Sequence, residues 1–92
     1  MRTPKSVLNV VEAVKYIGQK TTKRFLKGIG SHDSGSCPLA NAFGSDNFWH
    51  LTKYTRGRLS NIGIGSTSFK RFITWYDTNE AASYKRLKKL VA

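Results

Sequence analysis

The sequence predicts a small single domain over residues 1–92 of the α+β class, about four helices with a short antiparallel β-hairpin. Apolar residues recur at three- and four-residue spacing near both ends of the chain, at Val7, Val10, Val11, Val14 and Ile17 and again at Phe69, Phe72, Ile73 and Tyr76. That is the period of an amphipathic helix. From Asn47 to Ile64 the period is lost, and apolar residues flank the run Thr55-Arg56-Gly57-Arg58, which reads as two short strands joined by a glycine turn near 56–57. A chain of 92 residues leaves room for one core only.

Taken in order, Thr3-Pro4 reads as an N-cap followed by proline at the first helical position, where its missing N–H costs nothing. Gly18 stops this first helix. Its valines also suit a strand, but strict alternation is absent. Gln19 to Lys27 reads as a short helix with Lys20, Lys23, Arg24 and Lys27 on one face and Phe25 and Leu26 turned inward. Gly28 to Gly35, with His32 and Asp33, is loop chemistry. It lacks the pattern of a phosphate-binding loop, since no Gly-Lys-Ser/Thr follows and no strand precedes it.

Ser36 or Cys37 then caps a short helix that begins at Pro38, places Leu39, Ala42 and Phe43 on one side, and ends at Gly44. The hairpin follows, its tip carrying Lys53, Arg56 and Arg58 beside Tyr54. Ser66-Thr67-Ser68 offers N-caps for the helix of Phe69 to Tyr76, with Trp75 either at the edge of the core or exposed for stacking. Asp77-Thr78-Asn79-Glu80 has the spacing of a capping box, which predicts a break and a last helix from about 78. In that helix Tyr84, Leu87 and Val91 face inward, while Lys85, Arg86, Lys88 and Lys89 make its end cationic.

Hydrophobic residues make up 39% of the chain, with five Phe, two Trp and four Tyr, so aromatic side chains fill the core. A single cysteine excludes an internal disulfide, and no run of about 18 apolar residues is present. The expectation is a cytoplasmic protein with no membrane contact. Sixteen Lys and Arg against five Asp and Glu give a net charge of +11. A field of that sign attracts polyanions, nucleic acid first among them. The basic groups at 20–27, 53–58 and 85–89 are the candidate contacts for DNA or RNA, with an ordinary solvated surface as the alternative for each.

Evidence for chemistry is thin. Cys37 at a helix start has its thiolate favoured by the dipole, but no spacing ties His32 or His50 to it, and a buried structural cysteine is the favoured reading. Cys37, His32, His50 and Asp33 match no usual metal-ligand spacing, and the five carboxylates are isolated. No metal, cofactor or enzymatic activity is expected.

Two segments together resemble a known group. Cys37-Pro38-Leu39-Ala40-Asn41-Ala42-Phe43, followed by Phe72-Ile73-Thr74-Trp75-Tyr76-Asp77, is similar to the Cys-Pro-[Ile/Leu/Val]-Ala-x-Ala-Leu and Phe-Ile-x-x-Phe-Asp motifs of small uncharacterised bacteriophage proteins, frequent in phages of actinobacteria. The resemblance spans roughly Gly28 to Asp77, with Phe43 and Tyr76 where Leu and Phe are commoner. It implies a phage origin and leaves the activity open. Two functions fit: a basic phage accessory protein that binds nucleic acid, or a non-enzymatic inhibitor of a host protein or ribonucleoprotein, such as an anti-CRISPR or host-takeover protein. For the second, Trp49, Tyr54 and Trp75 are the candidate contact aromatics.

Overall fold

The valine repeat forms helix α1 (Lys5–Ile17), which buries Val7, Val10, Val11, Ala13 and Val14, in a computed structural model that describes residues 2–92. The helix starts one residue later than Thr3-Pro4 predicts. Pro4 is the N-cap, and its carbonyl accepts from the N–H groups of Val7 (3.1 Å) and Leu8 (3.2 Å). Gly18, at φ 139°, turns the chain directly into α2 (Gln19–Gly28). A side chain at that φ would be strained.

Helix α2 packs chiefly on α3 (Pro38–Phe43), and the approach is close. A β-carbon at Gly28 would lie 2.7 Å from the carbonyl carbon and oxygen of Cys37 and from Cα of Pro38. Only glycine fits there. Cys37 occupies the N-cap position with Pro38 in the first turn, as the sequence predicts, although no side chain caps this end. Gly44 closes α3 in the left-handed conformation, its N–H donating to the Ala40 carbonyl at 2.8 Å.

The predicted β-hairpin is absent, and with it the α+β class: the molecule is all-helical, without a strand among the described residues. Residues 47–64 form a 3-10 turn (Phe48–His50) and then α4 (Lys53–Asn61). Local bonds favour this outcome. The Thr52 hydroxyl accepts from the Thr55 N–H at 3.2 Å as an N-cap. The Arg56 guanidinium donates to the carbonyls of Trp49 (3.2 Å) and Leu51 (3.0 Å), tying the 3-10 turn to the helix. Gly57 has no positive φ and sits inside the helix instead of at a turn. Leu59 is the one α4 residue buried. A helix held by a single apolar contact leaves no 3.6-residue repeat in the sequence, and the apolar residues around it then look strand-like.

Helix α5 (Ser66–Val91) begins after Gly65, so the serines and threonine at 66–68 lie inside its first turn and do not cap it. The break expected within Asp77–Glu80 is present as an interruption at Glu80 (φ 32°, ψ −115°), with helix on both sides. That backbone costs about 1–3 kcal/mol for a residue other than glycine. Side chains satisfy carbonyls around the interruption: Thr78 Oγ1 donates to Thr74 O (2.6 Å), Asn79 Nδ2 to Trp75 O (2.7 Å), and the buried Ser83 Oγ to Glu80 O (2.6 Å) and Tyr76 O (3.3 Å). Helix α5 lies against α1, and its first half carries the aromatic core. Phe72 meets Phe25 of α2 edge-on at 5.9 Å, and Phe69 meets Phe48 edge-on at 5.5 Å. Trp75, at 7% exposure, covers the edge of that core. Among the described residues no helix is long and apolar enough to cross a membrane.

Candidate nucleic-acid interface

Helix α2 is the hub of the positive charge. Phe25 is its buried side chain and fixes the rotation of the helix about its axis. At 3.6 residues per turn, Lys20, Lys23 and Lys27 then point away from Phe25, while Thr21 and Arg24 share one flank. That flank forms a wall of a cleft of about 360 Å³ whose other walls are Asn41 and Phe43 of α3 and Thr55 and Arg58 of α4. The lining residues include two arginines, two threonines and an asparagine, and no Asp or Glu. Guanidinium forks and neutral donors around a concavity match a phosphate or similar oxyanion. Arg58 also lies against the ring of Tyr54, its guanidinium carbon 5.6 Å from the centroid, and Tyr54 is 73% exposed.

The other flank of α2 places Lys23 with Lys15 along a groove of about 280 Å³ that reaches Val91, in the last turn of α5. Lys88 and Lys89 occupy the same turn and are exposed. The three basic segments named from the sequence therefore adjoin one another around α2: Arg24 with Arg58 on one side, and Lys23 with the α5 terminus on the other.

Two of the twelve sequence-predicted residues are engaged within the fold. Arg56 holds backbone carbonyls, as described above, and the Arg86 Nε donates to Thr3 Oγ1 at 2.7 Å. Lys20, Lys27, Lys53 and Lys85 are exposed. Sequence reasoning missed Thr21, Asn41 and Thr55. Thr21 lies one turn before Arg24 and follows once Phe25 is recognised as the anchor, whereas Asn41 and Thr55 join the cleft only through the packing of α3 and α4.

Cys37 is buried, and burial pushes its thiol above the ordinary value, against the lowering effect of the Ala40 backbone hydrogen bond. A buried neutral thiol is a packing group, which agrees with the structural reading of this residue. His32 is committed elsewhere. Its Nδ1–H donates to Asp77 Oδ1 (2.6 Å), its Nε2 shares a hydrogen bond with the Tyr84 hydroxyl, and its ring stacks on Tyr76 at 4.5 Å. The Tyr76 hydroxyl accepts from the Gly30 N–H and donates to the Ser31 carbonyl, both at 2.8 Å, and burial pushes its pKa up to about 12. These contacts pin the loop between α2 and α3 to both halves of α5. None of His32, Asp77 and Tyr84 lines the Arg24–Arg58 cleft. Among the described residues no three His, Cys, Asp or Glu side chains gather into a group able to hold a metal ion.

No family model matches this chain, and neither a curated protein nor a solved structure matches it.

Proposed function

We propose that the protein is a non-catalytic nucleic-acid-binding module that holds backbone phosphate between Arg24 and Arg58. The observation that carries the proposal is the cleft itself, where two arginines from separate basic segments line one concavity with no Asp or Glu. The net charge of +11 and the exposed lysines of α2 and α5 supply long-range attraction, with further phosphate contacts on the other flank of α2. The corresponding setting is that of a bacteriophage accessory protein in the host cytoplasm, and both DNA and RNA present the required phosphate.

Binding to a labelled oligonucleotide, followed by fluorescence anisotropy across a salt series, tests it. The logarithm of affinity falls linearly with the logarithm of salt concentration, and Arg24→Ala with Arg58→Ala together reduce the slope by about 1.4–1.8. The thermal midpoint of that variant stays near the parent's, since surface substitutions of this kind change stability by less than about 0.5 kcal/mol each. Affinity that does not respond to salt sinks the proposal.

A second reading is a non-enzymatic inhibitor of a host protein or ribonucleoprotein. It is favoured by the 65% exposure of Trp49 and by a separate groove of about 490 Å³ formed by Pro4, Lys70, Arg71 and Trp75, whose buried indole N–H has no partner among the described residues. Pull-down from host lysate separates the two: a protein partner that survives nuclease treatment favours inhibition, and loss of all partners favours nucleic acid.

A further inference from the structure

We infer that the nucleic acid bound is an unpaired strand, with one phosphate between Arg24 and Arg58 and an adjoining base stacked on Tyr54. This rests on the nucleic-acid-binding role proposed above and specifies its substrate class.

The first observation is the ring of Tyr54. The fold has no packing use for it: α4 is anchored through Leu59, and Tyr54 stands 73% exposed on the first turn. An aromatic face left in water beside phosphate-binding groups is the arrangement that stacks bases, and a base offers its face only when it is unpaired and unstacked from its neighbours. The second observation is concavity. At about 360 Å³ the cleft lies near the lower end of small-ligand pockets, a size that admits one nucleotide-sized unit between its walls. A duplex is read by an element that protrudes into a groove, and a pocket walled by three helices offers none. The third is the placement of Arg58, which lines the cleft and also lies against the Tyr54 ring at 5.6 Å. One guanidinium therefore joins the phosphate position to the stacking position, as a strand running from the cleft across the ring of Tyr54 requires. Stacking tolerates any base, so little sequence preference accompanies it.

The test uses the full chain and labelled oligonucleotides of about 12 nucleotides, within known single-strand site sizes. DNA and RNA are each presented single-stranded and as the blunt duplex of the same sequence, at low and moderate salt. Single strands bind at least about tenfold tighter than the duplexes. Tyr54→Ala weakens single-strand binding by about 5- to 150-fold, the range for losing one stacked base, and leaves duplex binding unchanged. Tyr54→Phe keeps the ring and restores parent affinity. Because the side chain is exposed, the parent's far-ultraviolet circular dichroism is retained in both variants. Duplex binding as tight as single-strand binding overturns the inference and leaves the proposed function standing. So does a Tyr54→Ala effect equal on both forms, or absent from both. Salt-dependent binding to neither form overturns both.

Discussion

Two regions of this molecule are held together by different means. Where α2, α3 and α5 meet, almost every position has a neighbour that dictates it. Gly28 touches the backbone of Cys37 and Pro38, Leu39 is sealed from water, and the Tyr76 hydroxyl closes the loop above them. Along α4 the reverse holds. Leu59 alone is buried, the Thr52 cap and the Arg56 clamp secure the start, and the remaining side chains face water or the cleft. Burying one leucine contributes about 1.5–3 kcal/mol, enough to seat a short helix but not to specify its other residues. Packing leaves Lys53, Tyr54 and Arg58 unconstrained, so these three side chains of α4 have freedom to answer to a partner. The same division runs through α2, where Phe25 and Gly28 serve the core and the cations serve the surface.

The junction breaks first. Gly28→Ala forces a β-carbon to within 2.7 Å of backbone atoms that have no rotamer to yield. The expected loss is about 3 kcal/mol, at the upper end of overpacking penalties, read from urea or thermal unfolding. A loss under about 1 kcal/mol would mean that α2 and α3 are less tightly apposed than described.

Tyr76→Phe is a gentler probe of the same region. It leaves the Gly30 N–H and the Ser31 carbonyl without their partner at a cost of about 1–3 kcal/mol. It also has a pH signature. Tyrosine in the unfolded chain titrates near 10 and Tyr76 in the folded protein at about 12, so the folded state holds this proton more tightly. The resulting stability is complete below about pH 10 and is lost as pH rises through about 12. In Tyr76→Phe this residue's share of the alkaline decline disappears, and an unchanged decline in urea midpoints over that range would refute the assignment.

Thr52→Ala has the smallest effect, about 0.5–2 kcal/mol from the lost cap, and it tests the contrast directly. With so little of α4 buried, the loss appears as faster amide exchange confined to residues 53–61, while the α2–α3 junction keeps its protection. Uniform acceleration across both regions would show that α4 is as deeply coupled to the core as α3.

The sequence made α1, α3 and the first half of α5 legible because each carries a periodic apolar face or terminal signals that act within one or two turns. Val7 to Val14 and Phe69 to Tyr76 repeat on one side, while Pro38 and Gly44 mark where α3 starts and stops. The same logic misread 47–64, where a lone Leu59 leaves no period to detect. The break expected within Asp77 to Glu80 is there, at Glu80, but not as a capping box: the Asp77 carboxylate is taken by His32, far away in the chain. In the candidate interface the cations were visible as residues. Their division was hidden: Arg56 and Arg86 hold the fold together, whereas Arg24 and Arg58 share a cleft.

Composition alone determined that a chain of this charge must carry a strongly positive surface around a core of aromatic and aliphatic side chains, because charge and apolar area sum without regard to order. Local order added the helix ends and the face that each periodic helix buries. Which cations face one another, and which hydroxyls and amide stand between them, was decided only when Phe25, Leu39 and Leu59 were buried together. Each anchor sets the rotation of its own helix, and the cleft exists because three such rotations coincide.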